Sequence, residues 1–329
     1  MILYLYNGGA MILNIILLVI GFAVLIKGAD FFVDGSSSVA TNLKVPKILI
    51  GLTIVAFGTS APEFAVSIKS IISGNYDIVL GNVIGSNIMN ILLILGVSAL
   101  FGPLLVKSNT IKKELPIMLL ISCLFVVLLS DNLFDENYVN AFTRSDGIIL
   151  SLFFLVFIYY LIAITIHRNK KEETKDIVKM SIPKSFFLTA LGIGMIVLGS
   201  NYVVDSATKI ATELGVSEKL ISLTIIAFGT SLPELVTSIT ATRKGECDLA
   251  IGNVVGSCIF NIGIVIGIPV AIFGGINQIN FNNIDLIVML VTVLMLFIFS
   301  INDRKISRKE GIIFLLMFIG YYTFVVING

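Results

Sequence analysis

Along this chain the hydrophobic pattern takes mainly one form, long apolar runs separated by short polar turns. A helix that crosses a bilayer needs about 20 predominantly apolar residues. Ten runs reach or approach that length, at 12–35, 46–73, 78–101, 114–130, 146–167, 185–210, 217–241, 249–273, 284–301 and 309–327. The only sizeable polar stretch, HRNKKEETKDIVKMSIPKS, separates the fifth run from the sixth. It is too short and too mixed in charge to fold as a domain. The chain is therefore expected to divide into residues 1–167, a linker at 168–184, and residues 185–329, with five spans on each side of the linker.

Two of the runs have a polar break in the middle, and the breaks match. GLTIVAFGTSAPEFAVSI at 51–68 returns as SLTIIAFGTSLPELVTSI at 222–239, an offset of 171 with 12 of 18 positions identical. At the same offset DIVLGNVIGSNIMNILLILG, 77–96, returns as DLAIGNVVGSCIFNIGIVIG, 248–267, with 10 of 20 identical. GADFFVDG at 28–35 has a fainter counterpart in GSNYVVDS at 199–206. Unrelated apolar helices do not agree this well, so the chain reads as a duplication. Five spans is an odd number, which places the second half upside down relative to the first, the inverted-repeat plan of many secondary transporters.

Basic residues test that plan, because loops on the cytoplasmic side are enriched in Lys and Arg. With the N-terminus outside, 17 basic residues fall on inner loops and only Arg144, Lys209 and Lys219 on outer ones. Lys27 and Lys69 lie within spans, the latter placed to extend its amine outward. The expected protein is a multi-pass membrane protein with both termini extracellular.

Composition agrees. The chain is 57% apolar and 13% charged, with a mean hydropathy of +1.02, whereas soluble domains carry about 25% charged residues. A net charge of +1 gives no field for nucleic acid. Cys123, Cys247 and Cys258 sit in or beside apolar runs without metal-ligand spacing, so no disulfide framework is expected. The lone histidine, His167, ends a run and reads as interfacial. The N-terminal stretch lacks a basic region and a small-residue cleavage site, so no cleaved signal is expected.

The breaks carry the chemistry. Pro62 removes a helix hydrogen bond to the Gly58 carbonyl and pushes that carbonyl aside. Pro233 and Gly229 repeat this in the second half. A bend is expected there, with backbone carbonyls near 56–59 available as ligands. Broken spans at matching places in two halves point to a transporter site near the midplane. Each break is followed by an acid, Glu63 and Glu234. An ionised acid at a span centre costs about 2.5–3.5 kcal/mol, and two close together repel unless a cation or protons lie between them. No Lys or Arg recurs beside them in the repeats, so a mobile cation is the expected partner. Asn82, Ser86 and Asn90 share one helix face at i, i+4, i+8, as do Asn253, Ser257 and Asn261. Thr59 lies one turn before Glu63, and Thr230 one turn before Glu234. Carboxylate, amide, hydroxyl and carbonyl form a hard oxygen set suited to calcium, which takes 6–8 oxygens at about 2.3–2.6 Å, and to sodium.

AFGTSAPE with GNVIGSNIMN, and AFGTSLPE with GNVVGSCIFN, resemble the two alpha-repeats of the sodium/calcium exchangers in the calcium/cation antiporter superfamily. The resemblance implies an all-α membrane protein of ten transmembrane helices, with broken helices at the second and seventh positions. It implies that Glu63, Asn90, Glu234 and Asn261 are the central ligands. Thr59, Ser60, Ser86, Thr230, Ser231 and Ser257, with the carbonyls of Ala56 and Ala227, match the flanking ones. It also implies alternating access, with the first and sixth spans sliding across the remainder, and no resident cofactor, since calcium and sodium are cargo. Many relatives, including the potassium-dependent group, carry Asp at the place of Asn261. Asn at both 90 and 261 resembles the potassium-independent exchangers, although those have Asp where Glu234 stands. The proton-coupled exchangers carry an acidic motif that GNVIGS and GNVVGS lack.

The remaining polar positions have plainer readings. Asn82 and Asn253 are expected to hydrogen-bond between helices. Asn87, whose counterpart is Cys258, falls off the polar face. Asp77 and Asp248 read as N-caps, Lys27, Asp30 and Asp34 as a local pair or interface contacts, and Asp131, Asp135 and Glu136 as a solvated outer loop. Gly81, Gly85, Gly252 and Gly256 are expected to let helices approach closely. The sequence reading is a sodium/calcium antiporter of the plasma membrane, potassium-independent and functional as a monomer in the lipid bilayer. The alternatives are a calcium/proton or other cation exchanger on the same scaffold and a ten-span exporter of small metabolites.

Overall fold

The computed structural model describes residues 2–130, 140–166, 180–216, 227–276 and 283–328. His167, the acidic turn at 131–136, Lys219 and most of the linker lie outside the described residues.

The apolar runs fold as helices. α1 is Ile2–Asn42. After Pro46, α2 runs Lys47–Thr59 and bends by 47° into α3, Ala61–Ile72. α4 is Tyr76–Phe101. A π-helical turn at Thr110–Glu114 leads into α5, Leu115–Leu129. α6 is Arg144–Ile166 and α7 Ile182–Glu213. The short α8, Ala227–Thr230, precedes α9, Leu232–Arg243. α10 is Cys247–Phe273, α11 Asn283–Asp303 and α12 Arg308–Asn328. A departure from an all-helical chain is a two-residue antiparallel ribbon, β1 (Leu104–Leu105) with β2 (Lys305–Ile306).

Among the described residues, seven helices are long and apolar enough to cross a membrane, or eight if the bent α2–α3 pair counts as one span. Two of the ten expected runs do not reach that measure, for different reasons. α5 is only 15 residues long and its approach carries Lys112, Lys113 and Glu114, while residues 217–226 before α8 are outside the description. The duplication is visible in the element bounds. α3 and α9, and the helical segments opening α4 and α10, begin and end at positions 171 apart.

α4 and α10 form the centre. In their most apolar stretches 72% and 78% of residues are buried, against 17–33% for the other five long helices. Around them, Leu155, Val156, Tyr159 and Leu316 are 60–72% exposed, as side chains facing lipid would be. Glycine brings α2 onto α10, because a Cβ on Gly252 would lie 2.8 Å from the Ile48 carbonyl and one on Gly256 2.8 Å from Leu52 Cα. A Cβ on Gly81 or Gly85, the equivalent positions, would meet nothing within 4 Å among the described residues, so the expected close approach is found for Gly252 and Gly256 alone of the four. α1 and α7 pack antiparallel along a second glycine seam. Gly21 meets Val203, Gly28 meets Met195 and Ile196, and Gly35 meets Thr189. Asn42 Nδ2 donates to the Met180 carbonyl at 3.0 Å, so the end of α1 lies beside the start of α7.

Charged contacts gather at this same end, on the turn between α9 and α10. Lys47 pairs with Glu246 at 2.9 Å, Lys107 with Asp248, and Lys244 with Asp30 and Asp34 at 3.2 and 2.9 Å. The first two pairs border a cavity of about 850 Å³ that also touches Lys113 and Glu114. Of the two readings for Lys27, Asp30 and Asp34, the local pair is not found, since Lys27 lies over the Phe31 ring at 4.9 Å; Asp30 and Asp34 make interface contacts to the second half. One expectation changes here. Asp77 and Asp248 are not N-caps, because α4 and α10 begin one residue earlier, capped in position by Asn75 and Glu246. Lys69 is exposed, as expected.

Candidate cation site

The α2–α3 break falls at Ser60, whose φ of −84° and ψ of 7° leave the helical region. Pro62 sits in the first turn of α3, where its missing N–H costs nothing. Ser231, at φ −90° and ψ 2°, repeats the break before α9. Each break sets a carboxylate in the first turn of the following helix, Glu63 in α3 and Glu234 in α9. There the unpaired N–H groups and the positive end of the helix dipole favour negative charge.

Both carboxylates are buried, each 1% exposed, and each is held by the motif of the other half. Ser60 Oγ donates to Glu234 Oε1 at 3.0 Å, and Thr59 also reaches that carboxylate. The Thr230 hydroxyl hydrogen-bonds Glu63. Ser60 Oγ lies 3.0 Å from Ser257 Oγ as well. Its single proton serves the carboxylate, so Ser257 is the donor in that contact. The two glutamates lie within Coulombic reach of each other.

What distinguishes the centre is oxygen without a partner. Glu63 Oε2, Glu234 Oε2, Asn90 Oδ1, Asn261 Oδ1 and Ser231 Oγ are buried and unpaired. Eleven such atoms occur among the described residues, and these five all belong to residues expected from the sequence as cation ligands. A buried, unsatisfied polar group costs about 1–3 kcal/mol, more when charged. A set of them facing one region is stabilised by a ligand that accepts lone pairs, which is a cation. Two carboxylates match the charge of one calcium ion.

Asn90 and Asn261 each begin a π-helical turn, Asn90–Leu95 and Asn261–Ile266. Such turns occur often at functional sites, and no composition signal announced them. Ser86 and Ser257 lie one turn earlier, 5% and 0% exposed. Asn82 and Asn253 bond between helices as expected. Asn82 Nδ2 donates to the Glu63 carbonyl at 3.1 Å and to Ser67 Oγ at 3.2 Å, and Asn253 Nδ2 to the Glu234 carbonyl and Ser238 Oγ. Asn253 Oδ1 also accepts from Thr59 Oγ1 at 3.0 Å.

The carbonyls depart from expectation. Ala56 O is engaged, accepting from the Ser60 N–H at 3.0 Å. Proline at 62 and 233 removes instead the N–H partners of Gly58 and Gly229. The Gly229 carbonyl accepts from Ser200 Oγ on α7 at 2.9 Å, whereas the position equivalent to Ser200 is Ala29, which has no hydroxyl. Ala227 opens α8 at the edge of the described residues, with no contact to describe.

Two residues at the centre escaped the sequence reading. Thr237 Oγ1, one turn past Glu234, is another buried unpaired oxygen; its equivalent is Val66. Asn87, set aside because its equivalent is Cys258, accepts from Asn261 Nδ2 at 3.1 Å.

The model of the sodium/calcium exchanger protein family matches residues 13–163 and 184–327. The inner membrane protein YrbG of Escherichia coli is 34% identical over 314 residues, 92% of this chain and 94% of that protein. The sodium/calcium exchanger MaX1 of Methanosarcina acetivorans is 32% identical over an alignment 343 positions long, gaps included, that covers 94% of this chain and 97% of that one. A structure of the sodium-calcium exchanger NCX_Mj soaked with Na+ and Ca2+ superposes with a TM-score of 0.81 at 32% identity, covering 96% of this chain and 98% of the other.

Proposed function

The chain belongs to the sodium/calcium exchanger family, and from that premise we propose that it exchanges Na+ for Ca2+ across the plasma membrane by alternating access, without potassium. The observation that carries this reading is the group of buried, unpaired oxygens on Glu63, Asn90, Ser231, Glu234 and Asn261. Glu63 and Glu234 supply the charge that offsets calcium. Asn90 and Asn261 supply neutral oxygens. Thr59, Ser60, Ser86, Thr230, Ser231 and Ser257 complete the shell, with the Ala56 and Ala227 carbonyls beside them. Sodium ions compete for the same oxygens. Amides at both 90 and 261 leave two carboxylates at the centre, which favours potassium-independent exchange.

The scaffold in this proposal is ten spans, five from residues 1–167 and five inverted from 185–329, joined by a cytoplasmic linker at 168–184. The ion pairs of Lys47, Lys107 and Lys244 and the Asn42–Met180 contact share one end, while Phe142 and Ile276 bridge segments from the other ends of α6 and α10, which supports this alternation. Both termini are extracellular. The antiparallel pair α1 and α7 moves against the rest to expose the site on alternate sides, and a single chain suffices.

The test is calcium uptake into proteoliposomes loaded with sodium and diluted into sodium-free buffer. Uptake that needs internal sodium, and is unchanged by removing potassium, is the expected result. Uptake driven by a proton gradient alone, or no calcium flux under any gradient, refutes it.

A further inference from the structure

We infer that Asn87 is a positioning residue that determines which end of the Asn261 side chain faces the cation. The inference rests on the exchange reading above and adds to it a residue whose type the duplication does not repeat and that lies off the polar face.

The two ends of an amide differ only by their partners, so its orientation follows from the hydrogen bonds around it. Three links lead from a group that cannot turn. Asn87 Nδ2 lies 3.4 Å from the backbone carbonyl of Cys258. A carbonyl only accepts, so the NH2 of Asn87 faces it. The Oδ1 of Asn87 then faces Asn261, 3.1 Å from its Nδ2. An amide oxygen also only accepts, so the NH2 of Asn261 turns toward Asn87. Its Oδ1 is left buried and unpaired, among the oxygens that would meet the ion. A cation placed against the other end of the amide would meet N–H dipoles pointing at it.

The other half has a weaker counterpart of this arrangement. The position equivalent to Asn87 is Cys258, which lies beside Asn90. Its thiol lies 4.0 Å from the Asn87 carbonyl and hydrogen-bonds the Asn90 side chain; a thiol is a weak donor and a weak acceptor, so it holds Asn90 more loosely than Asn87 holds Asn261. The same geometry selects between amide and acid at 261. A carboxylate there would set oxygen against Asn87 Oδ1, so Asn87 favours the neutral ligand and holds the centre at two charges.

The test is a double-mutant cycle on the full chain, read as calcium affinity by calorimetry on purified protein and as KM and maximal rate in sodium-loaded proteoliposomes. Asn87→Leu frees the Asn261 amide to turn. It should weaken calcium binding about tenfold, the worth of roughly one hydrogen bond, and raise KM with little change in maximal rate. In an Asn261→Asp background both ends of the side chain are oxygen and no orientation remains to be fixed. There Asn87→Leu should change affinity by less than about twofold, or raise it. Asn87→Ala makes the same comparison if the leucine variant does not yield monodisperse protein. An equal loss in both backgrounds, or no loss in either, overturns the positioning role while leaving calcium binding by the parent protein intact. A parent protein that binds no calcium overturns both the role and the exchange reading.

Discussion

Replacing Glu234 with glutamine separates two roles that a buried acid can have. Glutamine keeps the size of the side chain and an oxygen to accept from Ser60. It removes one of two facing charges, together with an unpaired Oε2. Without ions this relieves repulsion from Glu63 and an unsatisfied buried charge, so Glu234→Gln should unfold at the same temperature as the parent or higher. With calcium it removes half of the charge that offsets the ion. Breaking a buried ion pair from one side costs about 3–5 kcal/mol, which is roughly a 100- to 4,000-fold loss of affinity. The assay is thermal unfolding in detergent at fixed scan rate, with and without calcium. At a calcium concentration 100 times the parent Kd, binding stabilises the folded protein by about 2.7 kcal/mol, and a 300-fold loss of affinity would leave about 0.2 kcal/mol. Glu63→Gln should behave alike. A calcium shift that survives either change, or a variant that unfolds well below the parent without calcium, would mean that the glutamates hold the fold rather than the ion.

Three further outcomes follow from the packing and the plan of the chain. Gly252→Ala puts a methyl 2.8 Å from the Ile48 carbonyl and 2.9 Å from Gly51 Cα, and should cost about 1–3 kcal/mol of stability by overpacking, seen as a lowered unfolding temperature; an unchanged temperature would refute the close α2–α10 contact. Ser200→Ala leaves the Gly229 carbonyl without its donor and should cost about 1–3 kcal/mol, whereas a neutral effect would show that this carbonyl has another partner. In a background free of native cysteine, Ser73→Cys and Lys113→Cys should react with an impermeant thiol reagent from opposite faces of the membrane. Labelling of both from one face would exclude the ten-span alternation.

How much of this could be read from residues alone depended on whether a feature was duplicated. The breaks at Ser60 and Ser231 were legible because proline has a fixed local effect and occurs twice at one offset. The asparagines at 82, 90, 253 and 261 were legible for the same reason. Asn87 and Thr237 were lost to that same comparison, since Cys258 and Val66 made them look accidental. The π-helical turns at Asn90 and Asn261 depend on packing around the helix, which no periodicity encodes. The Ala56 carbonyl was expected to be free because proline was credited with releasing a whole turn, whereas it releases the single carbonyl four residues before it. The β1–β2 ribbon joins segments about 200 positions apart in sequence, and each strand is two residues long, too short to leave an alternating pattern.

A duplicated scaffold, left to itself, has no means of telling inside from outside, since each face would present the same machinery to its own solution. The turn between α9 and α10 gives this one a handedness. It gathers ion pairs from α1, from α2 and from the segment after β1, while its equivalent, Ser73 to Tyr76, holds none among the described residues. Partly exposed pairs of this kind weaken as salt rises, because screening shortens the reach of each charge to about 8 Å at physiological strength. Raising the salt at that end should therefore loosen the hold of this turn on α1 and α2. The two near-copies thus differ among the described residues at a turn remote from the buried glutamates, which carries ion pairs in one copy and none in the other.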